Sequence, residues 1–208
     1  MPISVLLLAN TPEPDRTVAA AARLCYSDAS AVEIAEGFRE EDVSRFIGHL
    51  RSSGHLSPFE HASFTFAIDG ISRVCSHQLV RHRMASYSQQ SQRYVTMEEP
   101  EVITPPSLSS NREALALFTR VAAEAHDAYG KMIGSGIPAE DARYILPHGW
   151  ATKMVVTMNA RELHHFFSVR LCRRSQWEIR DLARRMLILA REKAPVLFSL
   201  AGPDCLTK

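Results

Sequence analysis

The sequence predicts an α+β fold: a single domain over residues 1–208, with a small, mainly antiparallel sheet packed by long helices. Three observations carry this. Segments of strand period and of helix period do not alternate regularly, which argues against a doubly wound parallel sheet. The apolar stripes from Asn111 onward run too long for strands and belong to amphipathic helices. Finally, 208 residues with 46% hydrophobic content suffice for one substantial core, and no Gly/Ser-rich linker divides them.

Taken in order, "ISVLLLA" reads as a buried strand, and Asp15 as the N-cap of an Ala-rich helix reaching about Tyr26. From Glu41, the residues Val43, Phe46, Ile47 and Leu50 recur at helical spacing, with Gly54 as a stop. Phe64, Phe66 and Ile68 alternate with Ser63, Thr65 and Ala67 as in a half-buried strand, which Gly70 is expected to end. Helical spacing resumes from Ile71 and places Gln78 and Arg81 on one face, so "ASYSQQSQRY" becomes the loop that follows. Asn111 to Gly136 reads as a long helix with Leu115, Phe118, Val121 or Ala122, Ala125, Tyr129 and Met132 on one stripe. Pro138 opens a short helix closed by Pro147. "TKMVVTM" reads as a strand and Asn159 as the N-cap of a helix to about Cys172. Ser175 and Glu178 suggest a capping box for a last helix whose Trp177, Leu182, Met186 and Leu189 face the core.

The 24 basic and 23 acidic side chains leave a net charge of +1, so the chain as a whole exerts no long-range pull on nucleic acid or an anionic membrane. Anion binding has to be local. One stretch invites it: between Asp69 and Glu98 there is no carboxylate, yet Arg73, Arg81, Arg83 and Arg93 lie there with His77 and His82. Arginine recognises phosphate through two parallel N–H bonds, and a hydrogen bond to a charged group contributes about 1.5–3 kcal/mol. On spacing alone these arginines either converge on a phosphate, pair with acids from elsewhere in the chain or simply lie in water.

Cys25, Cys75, Cys172 and Cys205 are widely spaced, with no Cys-x-x-Cys pair, and the histidines show no ligand spacing, so neither a disulfide framework nor a metal is expected. "SVLLLAN" is too short for a signal peptide and no stretch approaches the roughly 20 apolar residues of a membrane span, so a cytoplasmic protein is expected.

Arg81, His82 and Arg83, followed by seven residues and Ser91 within "QLVRHRMASYSQQSQRY", resemble the signature of the flavin-dependent thymidylate synthases. Further matches occur in order: "GHLSPFEHASFTF", "ARYILP", "NARELHHFFSVR" and "QWEIR", so the resemblance runs from about Ala22 to Pro195. It implies methylation of deoxyuridine monophosphate at C5, with methylenetetrahydrofolate as carbon donor, FAD as redox carrier and NADPH as reductant. By motif, it implies nucleotide binding by Gln78, Arg81, Gln89, Ser91, Arg93, Arg143 and Arg170. It implies FAD binding by His55, Ser57, Glu60, Arg81, His82, Arg83, Ser88, Gln89, Asn159, Arg161 and His165. Ser88, Gln89 and His165 stand where relatives often carry Asn, Glu and Asn.

No cysteine lies in the Pro-Cys-His setting of the other thymidylate synthase class. Cys75 and His77 diverge on a helix, so a route without a cysteine nucleophile is expected. Arg170 is the expected catalytic residue: always protonated, it cannot be a base but can favour the anionic form of the uracil ring. On a helix starting at Asn159, Arg170 returns to about 20° whereas Arg161 and His165 fall near 200° and 240°. Ligands on opposite sides of one helix suggest active sites shared between copies of the chain, and the resemblance implies a homotetramer.

Overall fold

The computed structural model describes residues 3–37 and 39–206. The chain runs through β1 (Ser4–Asn10), α1 (Pro14–Arg23), α2 (Ala31–Gly37), α3 (Glu40–Ser52), β2 (Ser63–Ser72), α4 (Arg73–Leu79) and β3 (Ala85–Gln89). It continues through α5 (Pro106–Ser109), α6 (Arg112–Gly134), α7 (Ala139–Ala142), β4 (Ala151–Asn159), α8 (Ala160–Arg170) and α9 (Trp177–Lys193). The strands form one four-stranded antiparallel sheet in the order β1-β2-β4-β3, which makes the fold α+β with long helices, as expected.

Several local readings need correction. β1 is an edge strand with Leu6 and Leu8 exposed, so it is not a buried one. Asp15 does not cap α1: Glu13 precedes the helix, Pro14 takes its first position, and the Asp15 carboxylate instead accepts from the backbone N–H groups of Val196 and Leu197. β2 does not stop at Gly70. That residue adopts φ 72°, which only glycine takes without strain, and the strand continues to Ser72 with its burial no longer alternating beyond it. α4 ends at Leu79, so Arg81 lies in the turn beyond the helix. The segment read as a loop contains β3, whose Ser, Tyr and Gln side chains hide a strand that alternates in burial. α9 is capped by Gln176, whose side chain accepts from the N–H groups of Glu178 and Ile179, while the Ser175 hydroxyl turns back to Val169 O. Its core face carries Leu182, Met186 and Leu187, with Trp177 and Leu189 only half-buried.

Other readings stand. α3 buries Val43, Ile47 and Leu50 and stops before Gly54, at φ 71°. Asn111 caps α6 by accepting from Ala114 N, and Asn159 caps α8 by accepting from Glu162 N.

The chain divides into two compact units, the division falling within all four strands. One comprises Ile68–Leu79 and Ser88–Met154 with the chain's first residues. Its core gathers Tyr129, Ala142, Leu146 and Trp150, packed by Met97, Val102, Met132 and Ile133. The other comprises Val5–Ala67, Val80–Tyr87 and Val155–Lys208. Here Phe198 is the hub, 5.3 Å from Phe64 and 5.9 Å from Phe167 between ring centroids, with His164 stacked on it at 5.2 Å.

Candidate active site

In the unit of Ile68–Leu79 and Ser88–Met154, two arginines face one small cavity. Arg73 opens α4 straight after β2, and Arg143 follows α7; they line a cavity of about 300 Å³ with His77, Gln92, Tyr144 and His148. Arg73 donates from Nη2 to Gln90 O at 2.9 Å, and Arg143 donates from Nε to Glu140 O at 3.1 Å. The Nε–H of Arg73 is buried without an acceptor among the described residues. Burial, and then the charge of Arg143, pull the Arg73 guanidinium below the ordinary arginine value, although an arginine remains protonated at any working pH. Two neighbouring cations, one with an unbonded donor, make an arrangement able to receive an anion.

Around it, Gln89 on β3 donates its amide hydrogens to Ser76 Oγ at 3.0 Å and Thr152 Oγ1 at 3.2 Å. The Ser76 hydroxyl is itself committed to Arg73 O, so Ser76 can only accept from position 89. With the Ser76 hydroxyl so committed, the Gln89 amide supplies the donor that this contact uses. Ser91 accepts from Arg93 N at 3.2 Å in a turn, and Arg93 pairs with Glu140 at 2.5 Å with its guanidinium 5.2 Å from the Tyr94 ring. Gln78 lies part-buried on α4, and Ser88 is exposed on β3.

In the unit of Val5–Ala67, Val80–Tyr87 and Val155–Lys208, a cavity of about 460 Å³ is lined by Glu60, Met84, Asn159, Arg161, Glu162 and His165. Four of these are residues the motifs had singled out for FAD. Arg161 and Glu60 pair across it at 2.5 Å. Arg81 and Arg83 are exposed beside the buried His82, and Ser57 is exposed at the start of a 3-10 turn. His55 does not line this cavity; its Nδ1 lies 3.3 Å from the Tyr26 hydroxyl.

His82 sits at the centre of a chain of bonds. Its Nδ1 is 3.1 Å from Glu162 Oε1, its Nε2 accepts from Arg170 Nε at 3.0 Å, and its carbonyl accepts from the Tyr87 hydroxyl at 2.7 Å. The Phe166 ring meets it edge-on at 5.0 Å and the His165 ring lies at 5.5 Å. Burial, then the charge of Arg170, then His165 lower its pKa to about 4, so its contact with Glu162 at neutral pH is a hydrogen bond and not an ion pair. Burial raises the Glu162 carboxyl above its usual range, and it raises the Tyr87 phenol as well.

Two of these residues escaped the motif reading: Arg73, a cation without a local partner whose neighbour Arg143 lies far along the chain, and Glu162. The signal for Glu162 was its place on the side of α8 shared by Phe166 and Arg170.

One unit thus carries guanidinium groups of the kind that receive anions, and the other a polar cavity of about 460 Å³, a pair of features that suits an enzyme of nucleotides. The chain belongs to the family described as thymidylate synthase complementing protein, which it matches over residues 6–196. It is 51% identical over 208 residues to the flavin-dependent thymidylate synthase of Geobacter sulfurreducens, covering 99% of this chain and 89% of that one. It is 43% identical over 212 residues to the protein of the same name from Pyrococcus furiosus, covering 98% and 87%. Among solved structures, a UMP/dUMP methylase, PolB from Streptomyces cacaoi, bound with 5-Br dUMP, superposes with a TM-score of 0.86 at 26% identity, covering 95% of this chain and 93% of that one. Among the described residues, no helix is long and apolar enough to cross a membrane.

Proposed function

We propose that this chain is a flavin-dependent thymidylate synthase, converting deoxyuridine monophosphate to thymidylate with methylenetetrahydrofolate as carbon donor, FAD as redox carrier and NADPH as reductant. The observation that carries the reading is the arginine pair with one idle, buried donor, which suits the dianionic phosphate of a nucleotide. Family membership supplies the reaction.

The residues of the 460 Å³ cavity fit a flavin nucleotide: Arg161 and Asn159 offer donors, Glu60 an acceptor, and the exposed Met84 an apolar surface. Bound there, the flavin supplies the electron pair that completes the methyl group. Arg73 and Arg143 hold the phosphate, with Gln78, Gln89, Ser91 and Arg93 of the same unit reading the remainder of the nucleotide, and Arg81 is assigned to the nucleotide by the family motif. Arg170 stabilises the electron-rich, anionic form of the uracil ring. No protein nucleophile is needed. Cys75 is fully buried in α4, which keeps its thiol away from any ligand, and Ser91 is engaged by Arg93 N without a general base bonded to its hydroxyl.

The same reading makes the protein a homotetramer with active sites shared between chains. Support comes from Leu6 and Leu8, apolar yet 60% and 52% exposed on an edge strand, and from the divergent directions of Arg161 and Arg170 on α8. Purified protein loaded with FAD is expected to bleach on addition of NADPH and to form thymidylate once folate and nucleotide are added. A protein that takes up no flavin, or bleaches without ever forming thymidylate, overturns the proposal, and a monomeric mass by light scattering at full activity overturns the shared site.

A further inference from the structure

We infer that Glu162 is a positioning residue for Arg170, acting through His82 by fixing which ring nitrogen carries the proton. The inference relies on the proposed function for what Arg170 does, and on geometry alone for how Arg170 is held.

The argument is one of donors and acceptors. A guanidinium has five N–H donors and no acceptor, so the 3.0 Å contact between Arg170 Nε and His82 Nε2 requires a bare lone pair on Nε2. A neutral imidazole carries one proton, which must then sit on Nδ1. The Glu162 carboxylate lies 3.1 Å from that nitrogen and accepts it. In the other tautomer both contacts turn repulsive, with N–H facing N–H at Arg170 and lone pair facing carboxylate at Glu162. Imidazolium is no better, since it too carries a proton at Nε2.

His82 and Glu162 are 5% and 9% exposed, so water is a poor substitute for either bond. The ring is held on its remaining sides by the edge of Phe166 and by the Tyr87 hydroxyl on its carbonyl, with His165 as the other titratable group facing it. Glu162 precedes Arg170 by eight residues, about 12 Å along the helix axis, so His82 spans the gap between them. Because a guanidinium is planar, fixing Nε fixes the plane in which its terminal nitrogens lie. Through His82, Glu162 thus sets the orientation of Arg170 at Nε.

The test reads the tautomer directly, by long-range 1H–15N correlation of the histidine side chains in flavin-loaded protein at neutral pH. Wild type is expected to show His82 protonated at Nδ1. Glu162→Ala should lose that signature, while Glu162→Gln should keep it, because the amide oxygen still accepts. In turnover, Glu162→Ala should lower kcat by about 10- to 100-fold, the scale typical when the partner that orients a functional histidine is removed. KM for deoxyuridine monophosphate should stay within about threefold, since the interaction lost belongs to the transition state. Glu162→Gln should recover most of the rate. A His82 proton on Nε2 in wild type overturns the inference even if Glu162→Ala fails to fold, and so does a Glu162→Ala enzyme that retains wild-type kcat. If wild type forms no thymidylate at all but shows the expected tautomer and its loss in Glu162→Ala, the proposed function fails and the positioning stands.

Discussion

Replacing Arg73 by methionine should separate stability from binding in one substitution. Methionine keeps an unbranched apolar stem and removes the charge. Without ligand, the change removes one hydrogen bond from a charged donor to Gln90 O, which contributes about 1.5–3 kcal/mol. It also removes a buried donor with no acceptor, which costs about 1–3 kcal/mol, together with the repulsion from Arg143. These effects oppose and nearly cancel, so unfolding free energy in urea should change by no more than about 1 kcal/mol. Binding is different, because there the lost contacts are to a phosphate. One charge-assisted bond of about 1.5–3 kcal/mol corresponds to roughly 10- to 150-fold weaker affinity for deoxyuridine monophosphate by calorimetry. Deoxyuridine, which has no phosphate, should bind both proteins alike. A variant several kcal/mol less stable with unchanged nucleotide affinity would show that Arg73 is structural, and an equal loss for nucleoside and nucleotide would show that it does not touch the phosphate.

Two further outcomes follow from the second unit. Arg170→Lys should retain measurable nucleotide affinity and lose most of its turnover, because a point charge cannot reproduce a planar fork held at Nε by His82; wild-type kcat in this variant would remove Arg170 from the chemistry. The other concerns His164, enclosed by Phe59 and Phe198, whose pKa is lowered to about 4 by burial and by Arg51. The unfolded chain therefore binds a proton below about pH 6.5 that the folded chain refuses until about pH 4, so stability falls as the pH drops through that window. For this one group the loss between about pH 7 and about pH 4.5 is about 2 kcal/mol, and His164→Phe should flatten the pH dependence by that amount, while an unchanged dependence in the variant would refute the assignment.

What could be read without the fold was what local periodicity encodes. The stripe of α6 and the Asn159 cap of α8 were legible because the groups involved lie within a few residues of one another. β3 was not legible: "ASYSQ" has little apolar alternation, and it is a strand because of a neighbour, β4, more than sixty residues later. The caps of α1 and α9 were misread for a related reason. Asp15 and Ser175 are residues that often cap helices, but each makes its bonds elsewhere, Asp15 to backbone far along the chain. The site divides in the same way. The arginines were visible as cations without local partners, but that Arg73 meets Arg143, and that His82 stands between Glu162 and Arg170, depends on contacts distant in sequence.

The bridging histidine also has a physical logic that neither neighbour supplies. A carboxylate bonded directly to Arg170 would hold it as firmly, but would neutralise much of the positive charge that the role proposed for Arg170 at the uracil ring calls for. A neutral imidazole transmits the orientation and keeps the carboxylate one ring further away, where its attraction for the guanidinium is weaker. That arrangement works only if the imidazole stays neutral at physiological pH, and burial together with Arg170 itself keeps it so, at a pKa of about 4. The features that would make His82 a poor pH sensor are therefore those that suit it to hold the Arg170 side chain in place.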